Sequence, residues 1–333
     1  MLSANEIRGL YAILPTPANP GAEHILARET VNLDETARSV EALIADGCDG
    51  LIALGTTGEC ATLSQEDYDA FVACLIETTR KRVPLFVGTT ALGGYEVARR
   101  MRLADELGAD GTLLGLPMWQ PVTVDAAVQF YRELSEGFPE LAIMVYANTR
   151  AFRFTFPDEF WQAVIKVAPT VVSAKYAQPR DLRKLIQITE GRVNIVPNEM
   201  SMARFYEESP ETTICCWATA ASMGPKPTIA LMRAVERGDA ESVKRISAAL
   251  DWANEPIRPI IANPEVFAQF NIQMEKLRIN AAGYCNAGPI RSPYAAMPDD
   301  FAAFSRECGR RWAVLNREMT AGRRLEDFVA ETA

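Results

Sequence analysis

The sequence predicts an α/β fold, a (β/α)8 barrel of the TIM type with a C-terminal helical extension, on three observations. Short apolar runs recur at intervals of roughly thirty residues. Segments of helical periodicity separate them, and eight such units follow one another along the 333-residue chain. Barrels of this kind commonly take about 250 residues before insertions, so the rest of the chain is left for the extension.

The candidate strands, in order, are GLYAILPTP, GLIALGTTG, PLFVGTT, GTLLGLP, AIMVYAN, VVSAKYA, NIVPNE and TTICCWAT. They are too short and too evenly apolar to be half-exposed, which suits a parallel sheet covered on both faces. Between them lie amphipathic stretches such as LDETARSVEALIADG, SQEDYDAFVACLIETTRKR, YEVARRMRLADELGAD and VDAAVQFYRELSEGF. Several end in glycine just before the next strand, as helix C-termini prefer. From about Pro225 the pattern is helix only. KPTIALMRAVERGD closes the barrel; AESVKRISAALDWAN, VFAQFNIQMEKLRINAAG and DDFAAFSRECGRRWAVLNREM make the extension. The expected division is a barrel over residues 1–235 and an extension over 236–333, packed on it as one unit because no low-complexity linker intervenes.

Composition narrows the function. Hydrophobic residues make up 48% and charged residues 23%, enough for a sizeable core. A net charge of −9 without a basic block argues against a nucleic-acid or acidic-membrane partner. The first residues lack the basic and apolar regions of a secretory signal, and no run is long enough to span a bilayer, so the chain is expected in the cytoplasm. The seven cysteines are scattered without a CxxC pair, the pattern of reduced core thiols rather than a zinc site. The single histidine, His24, falls in a loop and reads as solvated. Mechanisms that need a histidine base or two histidine ligands therefore lack raw material, and no metal is expected. No GxGxxG or GxxxxGK[ST] turn suggests a nucleotide.

One charge is out of place. In TVVSAKYAQP, alternation puts Val171, Ser173 and Lys175 on one face, and Val172, Ala174 and Tyr176 on the other. With both faces covered, Lys175 has no easy route to water. Keeping its amine neutral at pH 7 lowers its pKa by about three units, which costs roughly 4–5 kcal/mol. Two readings stand: an ion-paired lysine at a strand end, or a Schiff-base nucleophile. Barrel chemistry gathers at the C-terminal strand ends, and polar residues gather there too. Strand two ends in Gly55, Thr56, Thr57, Gly58 and Glu59, strand four in PMWQP around Trp119, and strand eight at Trp217. On strand five Met144, Tyr146 and Asn148 share a face, placing Tyr146 beside Lys175 at about the 4.8 Å strand spacing. Taken singly, Tyr146, GTTGE and the tryptophans also read as packing or turn residues. Together they offer an amine nucleophile, a phenolic proton carrier, and hydroxyls with turn amides suited to a carboxylate, which is the equipment for a 2-oxo acid.

GTTGE, the strand-five tyrosine and the strand-six lysine, in this order, resemble the pyruvate-dependent class I aldolase superfamily that includes dihydrodipicolinate synthase and N-acetylneuraminate lyase. The resemblance implies that Lys175 is the Schiff-base lysine, Tyr146 the proton shuttle, and Thr56 and Thr57, with Gly55, the carboxylate binders. Two features depart from the synthases. Their tyrosine-rich segment after strand four is here Pro117, Met118 and Trp119, which removes a hydroxyl from the proton relay; and their arginine for a second carboxylate falls in the register of Ala151, with Arg150 one residue early and expected to face elsewhere.

GTTGECATL, VGTTAL, GADGTLLGLPMW, VYAN followed by FRFTFP, SAKY, NIQMEK and AGPIRSPY instead resemble the hydratase-aldolases of aromatic degradation. That likeness implies an aryl-substituted 2-oxo-3-butenoate of the trans-o-hydroxybenzylidenepyruvate type as substrate, cleaved to an aromatic aldehyde and pyruvate without cofactor or metal, by a homotetramer. On this reading Asn148 positions water or hydroxyl, Trp217 and Trp119 wall the aryl ring, Asn271 closes the site, and Arg150 or Arg153 favours an anionic ring substituent. Two rivals stay open: a pyruvate aldolase or synthase acting on a sugar acid or aldehyde, which would put polar contacts where tryptophans stand, and a silent barrel that senses a 2-oxo acid.

Overall fold

A computed structural model describes residues 1–322 of the chain; residues 323–333 of the expected extension lie outside the described residues. Eight parallel strands form the barrel: β1 (Gly9–Ile13), β2 (Gly50–Ala53), β3 (Leu85–Gly88), β4 (Gly111–Leu114), β5 (Ala142–Tyr146), β6 (Val171–Lys175), β7 (Asn194–Val196) and β8 (Cys215–Ala218). Their order runs β7-β6-β5-β4-β3-β2-β1-β8. The ring closes at the C-terminal end, where Asn198 bridges Trp217 and the Trp217 amide donates to the Pro197 carbonyl at 3.0 Å.

The interior of the barrel is filled rather than open. Tyr11 and Phe86 are fully buried and meet edge to face at 5.9 Å. Each needs a glycine on the next strand. Gly50 pairs with Tyr11 and Gly111 with Phe86. A Cβ on either glycine would lie within 2.4 Å of the partner's ring. That is why strands two and four each begin with glycine.

Helix boundaries follow local chemistry. Asn32, Ser64, Thr123, Asp181 and Asp239 cap the helices behind them through side-chain acceptors. Gly108 ends the helix Gly94–Leu107 at φ 94°.

The helices that follow the barrel dock by specific contacts. Trp312, fully buried on the helix Asp299–Thr320, donates its indole N–H to the Gly224 carbonyl at 2.9 Å. The helix Pro264–Ala282 packs along the same helix and carries Gln273, Glu275, Lys276 and Arg278 on its buried face. All three of those charges line the barrel mouth or anchor to it, so this segment takes part in building the site.

Candidate active site

β5 and β6 pair with Tyr146 opposite Lys175, the last residue of each strand. The register slips between Ile143 and Met144, and beyond that slip Met144 pairs with Ser173, which keeps Tyr146 and Lys175 on the inner face. Lys175 Nζ lies 4.6 Å from the centre of the Tyr146 ring and 3.3 Å from that of Trp217. Among the described residues no carboxylate pairs with it and no hydrogen bond reaches it. An aromatic face attracts a desolvated ammonium by about 2 kcal/mol or more, whereas withdrawing the ion from water costs several. Desolvation wins, and burial pushes the Lys175 amine below its ordinary pKa. The nearby charge of Arg150 pushes the same way, while Tyr146, Glu199 and Glu275 pull it back. The ion-paired strand-end lysine that the sequence left open is not what this site contains.

The Tyr146 hydroxyl is held from two sides. It shares a hydrogen bond with Thr56 Oγ1 at 2.9 Å, and Asn148 Nδ2 donates to it at 3.3 Å. Asn148 Oδ1 in turn accepts from the Ala151 amide, capping the short helix Thr149–Phe152. Thr56 and Thr57 both line the cavity in front of Lys175, and among the described residues their backbone amides donate to no protein acceptor. Gly55 does not line the cavity; it backs the tyrosine, since a Cβ there would sit 3.8 Å from the Tyr146 ring edge.

The loop carrying the threonines is strained and then pinned. Leu54 and Glu59 adopt φ of 59° and 53°, left-handed values that cost a non-glycine residue on the order of 1–3 kcal/mol. Glu59 is 1% exposed. It accepts from Lys276 Nζ at 2.7 Å, from Arg291 Nη1 at 2.6 Å and from the Arg291 amide at 2.9 Å. GTTGE, NIQMEK and AGPIRSPY, three segments far apart in sequence, thus meet in one buried ion cluster. Two cations share one carboxylate there, and burial holds Lys276 down at about 8.

The cavity at the barrel mouth measures about 660 Å³ and is lined by Lys175, Tyr146, Asn148 and Trp217 from the barrel and by Asn271, Glu275 and Arg278 from the helix Pro264–Ala282. A second space of about 180 Å³ adjoins it, sharing Thr56, Tyr146 and Asn271. Its walls include Cys60, Met118, Ala151, Phe152 and Ile272. Asn271 therefore stands where the two spaces meet.

Three expectations need correcting. Trp119 is 77% exposed and lines neither space, because the loop after β4 carries it outward while Met118 turns in. Arg150 does not face elsewhere: the helical turn capped by Asn148 swings it over the cavity, with its guanidinium 4.8 Å from the Phe267 ring. Arg153 is occupied, donating to the carbonyls of Met118 and Trp119 at 2.7 Å each. Sequence reasoning also missed Glu199, Glu275 and Arg278, all buried and all lining the main cavity. Among the described residues no cluster of histidine, cysteine, aspartate and glutamate is suited to a metal.

Residues 24–295 match the dihydrodipicolinate synthetase family. Over 319 residues the chain is 41% identical to a trans-O-hydroxybenzylidenepyruvate hydratase-aldolase of Pseudomonas putida, covering 95% of this chain and 96% of that protein. It is 33% identical to a trans-2'-carboxybenzalpyruvate hydratase-aldolase of a Nocardioides species, across 96% of this chain and 97% of the relative. The solved structure described as PhdJ bound to substrate intermediate superposes with a TM-score of 0.91 at 32% identity, over 95% of this chain and 98% of that one. The chain belongs to the dihydrodipicolinate synthetase family, and it is a lyase of the pyruvate-dependent class I aldolase type.

Proposed function

We propose that the chain is a hydratase-aldolase that converts an aryl-substituted 2-oxo-3-butenoate, of the trans-o-hydroxybenzylidenepyruvate type, to an aromatic aldehyde and pyruvate through an iminium on Lys175. The observation that carries this reading is a desolvated lysine without a counter-ion, facing a doubly held tyrosine hydroxyl at the junction of a polar cavity and an apolar one. The names of the relatives support the same substrate class.

Lys175 Nζ attacks C2, and loss of water leaves an iminium conjugated to the C3–C4 double bond. Water oriented by Asn148 adds at C4, made electrophilic by that conjugation, and sheds a proton to solvent; Tyr146 gives its proton to C3 of the resulting enamine, which restores the iminium and leaves the tyrosine as the base. Tyr146 then takes the proton of the C4 hydroxyl while the C3–C4 bond breaks. The electron pair of that bond moves into the iminium, so aldehyde departs and the enamine of pyruvate remains. Protonation at C3 and hydrolysis release pyruvate and restore the amine. Thr56 and Thr57, through their hydroxyls and free amides, hold the carboxylate. The aryl ring enters the apolar space beside Met118 and Phe152, with Asn271 at its threshold.

No separate cofactor is needed, because the lysine adduct is itself the electron sink. The homotetramer and the cytoplasmic setting belong to the same proposal; light scattering tests the first, and the second rests on seven free cysteines and on the lack, among the described residues, of a helix able to cross a membrane. An aldehyde-release assay with aryl-substituted 2-oxo-3-butenoates tests the activity. Wild type releases aldehyde and Lys175→Ala does not; full turnover by that variant refutes the mechanism, and preference for a sugar acid refutes the substrate.

A further inference from the structure

Glu199 opens the 3-10 turn Glu199–Ser201 just beyond β7, next to Asn198, which bridges Trp217. The Trp217 ring lies over Lys175 Nζ, so the turn belongs to the same corner of the barrel mouth. Glu199 is 3% exposed, and its Oε2 has no hydrogen-bond partner among the described residues. The residue lines the cavity that holds Lys175. Unsatisfied buried carboxyl oxygens are uncommon in folded proteins, and each one asks for an explanation.

The charges around it do not supply a partner. Arg278 is engaged in a bidentate pair with Glu275, at 2.7 and 3.0 Å, and its remaining nitrogen donates to Asn254. Lys276 and Arg291 are committed to Glu59. Of the two other cations lining the cavity, Arg150 lies against the Phe267 ring at 4.8 Å, and Lys175 is the one on which the charge of Glu199 acts.

We propose that Glu199 is the proton donor that dehydrates the carbinolamine on Lys175, and that its carboxylate is then the counter-charge of the iminium. The proposal rests on the Schiff-base reading above and deepens it. Attack of the neutral amine on C2 forms the N–C bond and, after transfer of a proton from nitrogen to oxygen, a neutral carbinolamine. Glu199 gives its proton to the C2 hydroxyl, directly or across one water. The C–O bond breaks, water leaves with that electron pair, and the nitrogen lone pair forms the C=N bond. A neutral amine and a neutral acid have become an iminium and a carboxylate, with no net change of charge. Hydrolysis of the product iminium runs the same transfer backwards.

Two observations favour this group over Tyr146 for the step. The tyrosine hydroxyl is tied to Thr56 and Asn148, and the segment after β4 presents Met118 and Trp119 in place of a tyrosine that could resupply its proton. Burial also pushes the Glu199 carboxyl up to about 7, so it still carries its proton near neutral pH. The groups that face it are Lys175 from β6, Cys216 from β8, Glu275 and Arg278 from the helix Pro264–Ala282, and Cys308 from the helix Asp299–Thr320. Arg278 opposes the rise, and burial outweighs it.

The test is the rate at which pyruvate alone forms a borohydride-trappable adduct, read by mass spectrometry after rapid quenching between pH 5 and 9. In the wild type the rate declines above about pH 7 as Glu199 loses its proton. Glu199→Gln keeps the shape of the side chain, slows adduct formation by about 10²–10⁴-fold at pH 6 and loses the declining limb. Glu199→Asp, which keeps a carboxyl, retains that limb at a reduced rate, and it decides the matter where the glutamine variant is poorly folded. A glutamine variant with the wild-type rate and pH profile overturns the proposal while leaving the Schiff base intact. A wild type that traps no pyruvate at any pH sinks the Schiff-base reading itself, and this proposal with it.

Discussion

Replacing Glu59 by glutamine removes the one carboxylate that Lys276 Nζ and Arg291 Nη1 share, at 2.7 and 2.6 Å, inside a cluster that solvent does not reach. Breaking a buried pair by deleting one partner costs about 3–5 kcal/mol. Two details place this case near the lower end. Lys276 is already held down at about 8, so it can shed its charge by losing a proton. Arg291 cannot deprotonate, yet it keeps acceptors in the carbonyls of Thr16, Pro17 and Thr30 and in the Thr30 hydroxyl. The expected loss at pH 7 is about 3 kcal/mol. It has a pH signature. With Glu59 gone, the folded-state pKa of Lys276 falls further, so the variant releases the Lys276 proton on folding at pH 7 while the wild type retains it; above 8 both release it. The deficit therefore narrows by on the order of 1 kcal/mol between pH 7 and pH 9, at 1.36 kcal/mol per unit. Chemical unfolding of both proteins at the two pH values measures this. Because Glu59 also fixes the left-handed end of the loop bearing Thr56 and Thr57, the KM for pyruvate-bearing substrate rises in the variant. A deficit below about 1 kcal/mol at pH 7, or one that grows toward pH 9, refutes the reasoning.

Tyr146→Phe leaves the ring packing and removes the hydroxyl, so kcat for aldehyde release falls about 10²–10⁴-fold while pyruvate trapping at Lys175 persists. Ala151→Leu fills part of the 180 Å³ apolar space and lowers kcat/KM for the aryl substrate by about 10–200-fold without slowing adduct formation with pyruvate; equal loss for both steps contradicts the placement of the ring. For stability, the fold favours the protonated form of Glu199, a contribution complete below pH 4.5 and lost as pH rises through about 7. Glu199→Gln is neutral throughout, so between pH 5 and pH 8 it gains on wild type by on the order of 3 kcal/mol in thermal or denaturant unfolding.

The barrel was legible because strands buried on both faces must be short and apolar, and because a lysine at the end of VVSAK breaks that rule visibly. Strand parity then placed Tyr146 beside Lys175, and the structure pairs them. What stayed hidden was set by contacts distant in sequence. Glu199 is the last residue of NIVPNE, read from the sequence as a strand; β7 ends at Val196, and Glu199 opens a 3-10 turn buried in a cavity lined by the helix Pro264–Ala282. That helix hides its own role, since its buried face carries Gln273, Glu275, Lys276 and Arg278, which defeats a search for an apolar stripe. Lys276 and Arg291 meet Glu59 across 217 and 232 positions, beyond any local pattern. Trp119 misled for the opposite reason. A tryptophan beside an apolar strand reads as a wall, but the loop it sits on points outward.

The central claim is a covalent bond between the Lys175 nitrogen and the keto carbon of the substrate. Incubation with pyruvate and borohydride, followed by peptide mapping, tests it directly. The account predicts one reduced pyruvyl group per chain, on the peptide containing Lys175, and none in Lys175→Ala. An unmodified Lys175 peptide in an enzyme that still releases aldehyde would contradict it.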